Sequence, residues 1–218
     1  MTEDKAVSKR CLLRILPQIA SGMKEKSDQL RILDAACGDG DLGVTVTKGF
    51  TAVEEKLPEL EGMSLAKTFK AVGMTFNNAA ASTFGVLFAT ACKSVGEALV
   101  DKENIGAPDL CAMLEAAAQG ISKRGKAKVG DKTILDALVP ATEAACQAAE
   151  RGASLNEVLE QAAAAAKLGA EKTKGMLPRI GRARWLGEKT KDVQDPGATF
   201  VYLFLEECWA SIQNPASA

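Results

Sequence analysis

Apolar residues recur at helical spacing in one segment after another along this chain, and the connections between the segments alternate in character. Leu12, Ile15, Leu16, Ile19 and Met23 form a first stripe, with Pro17 expected to kink it. Leu30 and Leu33 predict a short second helix. Gly43 to Leu57 carries Val46, Phe50, Val53 and Leu57 on one face and is expected to stop at Pro58. Ser64 is placed to cap a helix holding Leu65, Phe69, Val72 and Phe76, and another runs from Phe84 towards Val100. Pro108 opens a helix that ends near Gly120, and Asp131 is read as the cap of one carrying Ile134, Leu135, Leu138 and Val139, bent at Pro140. Ser154-x-x-Glu157 is a capping-box pattern, and the Ala162 to Ala166 run that follows suits close helix packing. Asp195-Pro196 starts the last segment, which is almost wholly apolar through Trp209.

Strand signals are nearly absent and aromatic residues make up only 5% of the chain, so the fold class is all-α. Helices joined by short connections lie antiparallel, and an up-and-down bundle therefore puts alternate loops at the same end. The unusual connections are Asp34 to Gly43, Asn77 to Thr83, Lys123 to Asp131 and Lys174 to Asp195. They are every second loop. The topology thus gathers the polar, glycine-rich chemistry on one rim and leaves the other plain, whether the first two segments count as one helix or two.

With 218 residues and no linker-like stretch, residues 1–218 read as one domain. Basic and acidic residues nearly cancel, 27 against 28, which leaves no global field to attract nucleic acid or an anionic membrane. No run is long enough for a membrane span, and the acidic start, residues 1–5, is unlike a secretory signal, so a cytoplasmic protein is expected. Six scattered cysteines without a C-x-x-C pair are expected to be reduced thiols packed as small apolar residues. There is no histidine, which removes imidazole acid–base chemistry, phosphohistidine relays and imidazole metal ligands from this chain.

The first unusual loop sets Asp34, Asp39 and Asp41 among Gly38, Gly40 and Gly43. Carboxylates on a bent loop suit Mg²⁺, which takes oxygen ligands and keeps waters while sharing a substrate phosphate. The spacing lacks the alternating ligands and terminal Glu of an EF-hand. The third loop comes close to a P-loop, but Asp131 interrupts the pattern and no strand precedes it. The fourth, from Lys174 to Asp195, carries six basic against three acidic residues, and its length points to a lid. Arg182, between Gly181 and Ala183, can present a planar fork to phosphate oxygens, while Trp185 and Leu186 need cover. Acidic loop, helix N-termini and arginine lid together describe a polyphosphate cradle, and Leu42, Phe84 and Ile134 could wall an adenine-sized pocket.

These motifs, Leu-Asp34-Ala-x-x-Gly-Asp39-x-Asp41-x-Gly43, Gly130-Asp131-Lys132-Thr133, Gly181-Arg182-Ala183-x-x-Leu186-Gly187-Glu188 and Gln194-Asp195-Pro196-Gly197-Ala198-Thr199, resemble in order and spacing the nucleotide-binding L subunit of dihydroxyacetone kinases. The resemblance covers essentially the whole chain. It implies an eight-helix antiparallel barrel with two Mg²⁺ and ADP or ATP at one end, acting as phosphoryl donor to a short ketose held by a separate K-type subunit. A phosphotransferase-system M-type protein that recharges bound ADP is a further partner it admits. By position, Asp34, Asp39 and Asp41 would ligate Mg²⁺. Leu42, Gly43, Val44, Thr45, Thr83, Phe84, Gly125, Ile134, Arg182, Asp195, Pro196 and Gly197 would line the nucleotide site, with Arg182 the catalytic contact. The chain departs from the family pattern at Leu42, where His is usual, and at Ser82-Thr83-Phe84-Gly85, where a Gly-[Ala/Thr]-Ser-Gly turn is usual. A nucleotide-binding regulator or adaptor without catalysis is the alternative reading.

Overall fold

Helix starts follow the caps. The hydroxyl of Ser64 accepts from the Lys67 N–H at 3.4 Å, that of Ser82 from Gly85 at 2.9 Å, and the Asp195 carboxylate from Ala198 at 2.7 Å. Ser154 and Glu157 close a reciprocal capping box, with the Glu157 carboxylate accepting from the Ser154 N–H at 2.8 Å. The structure, a computed structural model, describes residues 6–214, so the acidic start at residues 1–5 lies outside it. Among the described residues there are nine α-helices: α1 (Lys9–Glu25), α2 (Ser27–Cys37), α3 (Leu42–Leu60), α4 (Leu65–Ala79), α5 (Thr83–Ala98), α6 (Ala107–Gly125), α7 (Leu135–Glu150), α8 (Leu155–Lys172) and α9 (Pro196–Gln213). Two residues of β1 (Val7–Ser8) pair antiparallel with two of β2 (Asn104–Ile105), Val7 opposite Ile105. No described helix is long and apolar enough to cross a membrane.

Each helix packs on the next, α3 on α4 and so on to α9, while α9 and α3 both pack on α1, so the contacts run in a closed ring of eight helices. The ninth, α2, leaves α1 at Lys26 and packs on the flank of α3. Gly43 marks that contact, because a Cβ there would collide with the Ser27 carbonyl and the Arg31 side chain.

Two halves of the core are built differently. On the α3, α4, α5 and α9 side, Phe50, Phe76, Phe84, Phe88, Phe200 and Phe204 form one network, with Phe76 and Phe88 centroids 4.4 Å apart. On the α7–α8 side, Ala137, Ala141, Ala145 and Ala148 meet Ala162, Ala163, Ala166 and Ala170, all buried. Gly169 has no room for a Cβ against the Asp136 carbonyl, so the alanine run is close helix packing as read. Between the halves lies an apolar cavity of about 220 Å³, with Ile15, Phe88, Leu114, Leu138 and Leu205 among its walls.

Four local readings change. α3 continues through Pro58 to Leu60, because Leu60 is fully buried and its packing outweighs one missing N–H bond. α6 continues through Gly120 to Gly125, because Gly120 is a contact point where α6 crosses Ser94 of α5 rather than a stop. α7 begins at Leu135, not at Asp131, whose carboxylate instead accepts from the Lys128 N–H at 2.9 Å. Cys111 and Cys146, expected as free thiols, form a disulfide. They sit near the start of α6 and the end of α7, which run antiparallel, so their Cα atoms come within 4.9 Å across 35 residues of sequence. No local pattern announces such a pair.

Candidate functional site

A cleft of about 750 Å³ opens at one rim of the ring, within the size range of ligand pockets. Its walls come from the α2–α3, α4–α5, α6–α7 and α8–α9 connections and the helix turns beside them. The α3–α4, α5–α6 and α7–α8 connections contribute nothing to it, so the alternation read from the loops holds in three dimensions.

The acidic wall begins in the last turn of α2. The Asp34 carboxylate accepts from the Leu42 N–H at 3.1 Å, tying the end of α2 to the start of α3 across the loop. Gly40 bends that loop at φ +74, a conformation that costs glycine little. Asp34, Asp39 and Asp41 each offer a carboxylate oxygen, and these oxygens all lie within 4.8 Å of one another. An all-oxygen donor set of three carboxylates, two of them on residues open to solvent, fits a hard divalent cation that keeps some of its waters. Asp41 caps α3 through its backbone alone, which leaves its carboxylate for the cleft.

Opposite stands the lid, residues 173–195, which contains two short 3-10 turns, Arg182–Trp185 and Gly187–Thr190. Arg182 reaches across the cleft to Asp39 and Asp41, the second contact at 3.9 Å. Trp185 is 80% exposed, with the Arg184 guanidinium 4.9 Å from its ring. The expectation that this tryptophan is covered is therefore not met within the chain itself.

The third wall is the α6–α7 loop. Asp136, buried in the first turn of α7, accepts from the Gly130 N–H at 2.6 Å and the Thr133 N–H at 2.7 Å, which folds the loop back on itself. At the floor, Asp195 caps α9 while facing Asp136 and Lys132. Burial pushes its pKa up to about 7; the Ala198 N–H and Lys132 pull it down and Asp136 adds to the rise. Cys37, beside the acidic loop, is pushed up to about 11, mainly by burial with Asp195 adding, so it stays a thiol at neutral pH.

The sequence matches the DAK2 domain over residues 36–210. The chain belongs to the DAK2 domain family. It is 33% identical over 201 residues to the ADP-binding subunit DhaL of the PEP-dependent dihydroxyacetone kinase of Escherichia coli, covering 92% of this chain and 96% of that one. It is 34% identical over 198 residues to the corresponding subunit of dihydroxyacetone kinase 1 of Listeria innocua, covering 91% and 92%. An L-erythrulose kinase of Pectobacterium atrosepticum is 33% identical over 87% of this chain, which spans only 32% of that enzyme. Among solved structures, the native dihydroxyacetone kinase of C. freundii superposes with a TM-score of 0.73 at 23% identity, over 97% of this chain and 36% of that one. The same kinase in complex with AMP-PNP and Mg²⁺ gives 0.69, over 95% and 35%. These two share the all-α fold.

In this DAK2 domain, most residues singled out from sequence line the cleft: Asp34, Asp41, Leu42, Thr83, Phe84, Gly125, Ile134, Arg182, Asp195, Pro196 and Gly197. Asp39 joins them through its ion pair with Arg182. Gly43, Val44 and Thr45 do not line it, because α3 is already helical from Leu42, which turns Gly43 towards α2, Val44 outwards and Thr45 into the core. The sequence reading missed Leu87, Ile121 and Arg124, which complete the wall beside Phe84 and Gly125. Their helical spacing, Phe84 to Leu87 and Ile121 to Arg124, was the available signal. Lys132, in the loop that comes close to a P-loop, lines the cleft as well.

Proposed function

We propose that this chain is the nucleotide-binding subunit of a dihydroxyacetone-type kinase, carrying the phosphoryl donor for a short ketose held by a K-type partner. The observation that carries this reading is the convergence of Asp34, Asp39 and Asp41 opposite Arg182 in a cleft assembled from four loops. Asp34, Asp39 and Asp41 would hold Mg²⁺, two ions in the family-based reading, and bound Mg²⁺ would neutralise phosphate charge. The chain's own residues supply the rest. Leu42, Phe84 and Ile134 give a non-polar wall for the base, and the Ser82-capped start of α5 and Asp195-capped start of α9, which line the cleft, would offer the positive ends of their helix dipoles to the phosphates. Arg182 would move from the carboxylates to the transferring phosphoryl group as charge develops there.

The acceptor must come from elsewhere, because a chain without histidine cannot hold a small ketose through an imidazole. Two of the similar proteins are named as ADP-binding subunits of PEP-dependent kinases, which favours ADP that stays bound and is recharged by a phosphotransferase-system M-type donor in the cytoplasm. The test mixes the purified chain with Mg-ATP and dihydroxyacetone or erythrulose, with and without a K-type subunit, and follows sugar phosphate. Turnover only with the K-type subunit is expected; sustained turnover by the isolated chain would overturn the two-protein mechanism.

A further inference from the structure

Lys132 is the one buried lysine among the described residues, 3% exposed, and its backbone is left-handed at φ +61. A non-glycine residue held there costs free energy and is a reason to ask what its side chain does. Its Nζ donates to three backbone carbonyls: Thr190 at 2.5 Å, Met176 at 3.2 Å and Lys191 at 3.2 Å. An ammonium has three N–H donors, so the group is fully engaged. All three acceptors lie at the base of the lid, two on its returning limb and one on its outgoing limb. The neighbouring Asp131 adds a second tie, its carbonyl accepting from the Arg179 N–H at 3.1 Å. The limbs also meet directly, Gly175 N–H to Lys191 carbonyl at 2.8 Å, and the Thr173 hydroxyl accepts from the Asp195 N–H at 2.8 Å. Beyond these ties the lid also reaches the rest of the chain through Ile180, which packs against the core, through Gln194, which donates to the Thr199 hydroxyl, and through Arg182 at its tip.

We infer that Lys132 is a positioning residue that staples the two limbs of the lid to the α6–α7 loop and so sets where Arg182 stands over the acidic cluster. It is not a phosphate ligand of the P-loop kind, since its donors are taken by the lid. The shape of the acceptor set matters as well as its charge. Three carbonyls converge on one compact ammonium, whereas the planar, longer guanidinium of arginine cannot direct its N–H groups to one point. Because Lys132 also lines the cleft, the staple makes the lid's position and the cleft wall one mechanical unit.

The test compares Lys132→Met and Lys132→Arg with the parent by backbone hydrogen exchange, without nucleotide, and by calorimetry with Mg-ADP. Both variants are expected to speed exchange at residues 175–191 about tenfold or more, as for loss of hydrogen bonds to a charged group, while α8 and the loops of the opposite rim keep parental rates. Mg-ADP affinity should fall in step with lid protection. That second readout rests on the function proposed above, and the first does not, so a parent that fails to bind Mg-ADP would sink the function while leaving the staple to be judged on exchange alone. Unchanged lid exchange in Lys132→Met, or full protection restored by Lys132→Arg, would overturn the staple. Weakened Mg-ADP binding with an unchanged lid would instead make Lys132 a direct ligand. Should the variants not fold, ¹⁵N spectra of the lysine ammonium groups in the parent decide: one slowly exchanging ammonium is expected, and its absence would reject the assignment.

Discussion

The two rims of the ring are made from the same kinds of helix end, yet they are held together differently. At the plain rim, the α7–α8 turn closes with a complete capping box, β1 pairs with β2, Lys9 donates to the Glu61 carbonyl, and a disulfide joins α6 to α7. At the cleft rim, the α6–α7 and α8–α9 ends are joined through long loops, and positive φ recurs at Gly40, Lys126, Gly130, Lys132, Gly175, Gly181 and Gly187, against Asp101 and Gly152 at the plain rim. Its cross-loop contacts are polar and partly open to water. The difference teaches that the plain rim can carry the permanence of the fold, which lets the other rim hold clustered like charges and the long α8–α9 connection.

The strongest way to break this comparison is to cut the disulfide. Closing 35 residues should contribute about 4 kcal/mol in a chain-entropy model, so the Cys111→Ala/Cys146→Ala variant should unfold at lower urea than the oxidised parent, and Mg-ADP affinity should be unchanged by calorimetry. A fall in affinity would mean the rims are coupled. At the cleft rim the test is Asp39→Ala. Losing one of three carboxylates should weaken Mg-ADP binding by about a hundredfold, while relief of like-charge repulsion leaves thermal stability equal or higher.

Asp195 sharpens the contrast through pH. Its folded pKa, about 7, lies above the ordinary carboxylate value, so the folded state holds the proton more tightly than the unfolded one. Stability from this group is therefore full in acid and is lost as pH rises through 7. Asp195→Asn keeps the cap acceptor and removes the titration. It should gain about 4 kcal/mol over the parent at pH 8 and well under about 1 kcal/mol at pH 4, read from urea unfolding at both values. The smallest effect is at the opposite rim: Ser154→Ala should cost about 1 kcal/mol, with no change in the pH profile of Asp195.

What could be read from the residues was mainly local. Ser64, Ser154 and Asp195 act within three residues of themselves, and the loop parity follows from antiparallel helices, so these caps and the shared rim were legible. The Cys111–Cys146 bridge was not, because it depends on the register of α6 against α7. Gly120 and Gly43 read as a stop and a cleft residue, since nothing local tells a glycine that turns a chain from one that admits a neighbouring helix. Lys132 was hidden for a related reason. Its three acceptors are carbonyls, 44 to 59 residues away, which any sequence could supply.

The chain's two tryptophans fall one to each region. Trp185 stands in water at the tip of the lid, and Trp209 packs against the core near the end of α9. Light emitted by the first should be red-shifted and open to collisional quenchers such as iodide, and that of the second bluer and shielded. The protein thus carries two colours of intrinsic reporter, and a Trp209→Phe variant would leave a single-channel optical record of lid movement with no label attached.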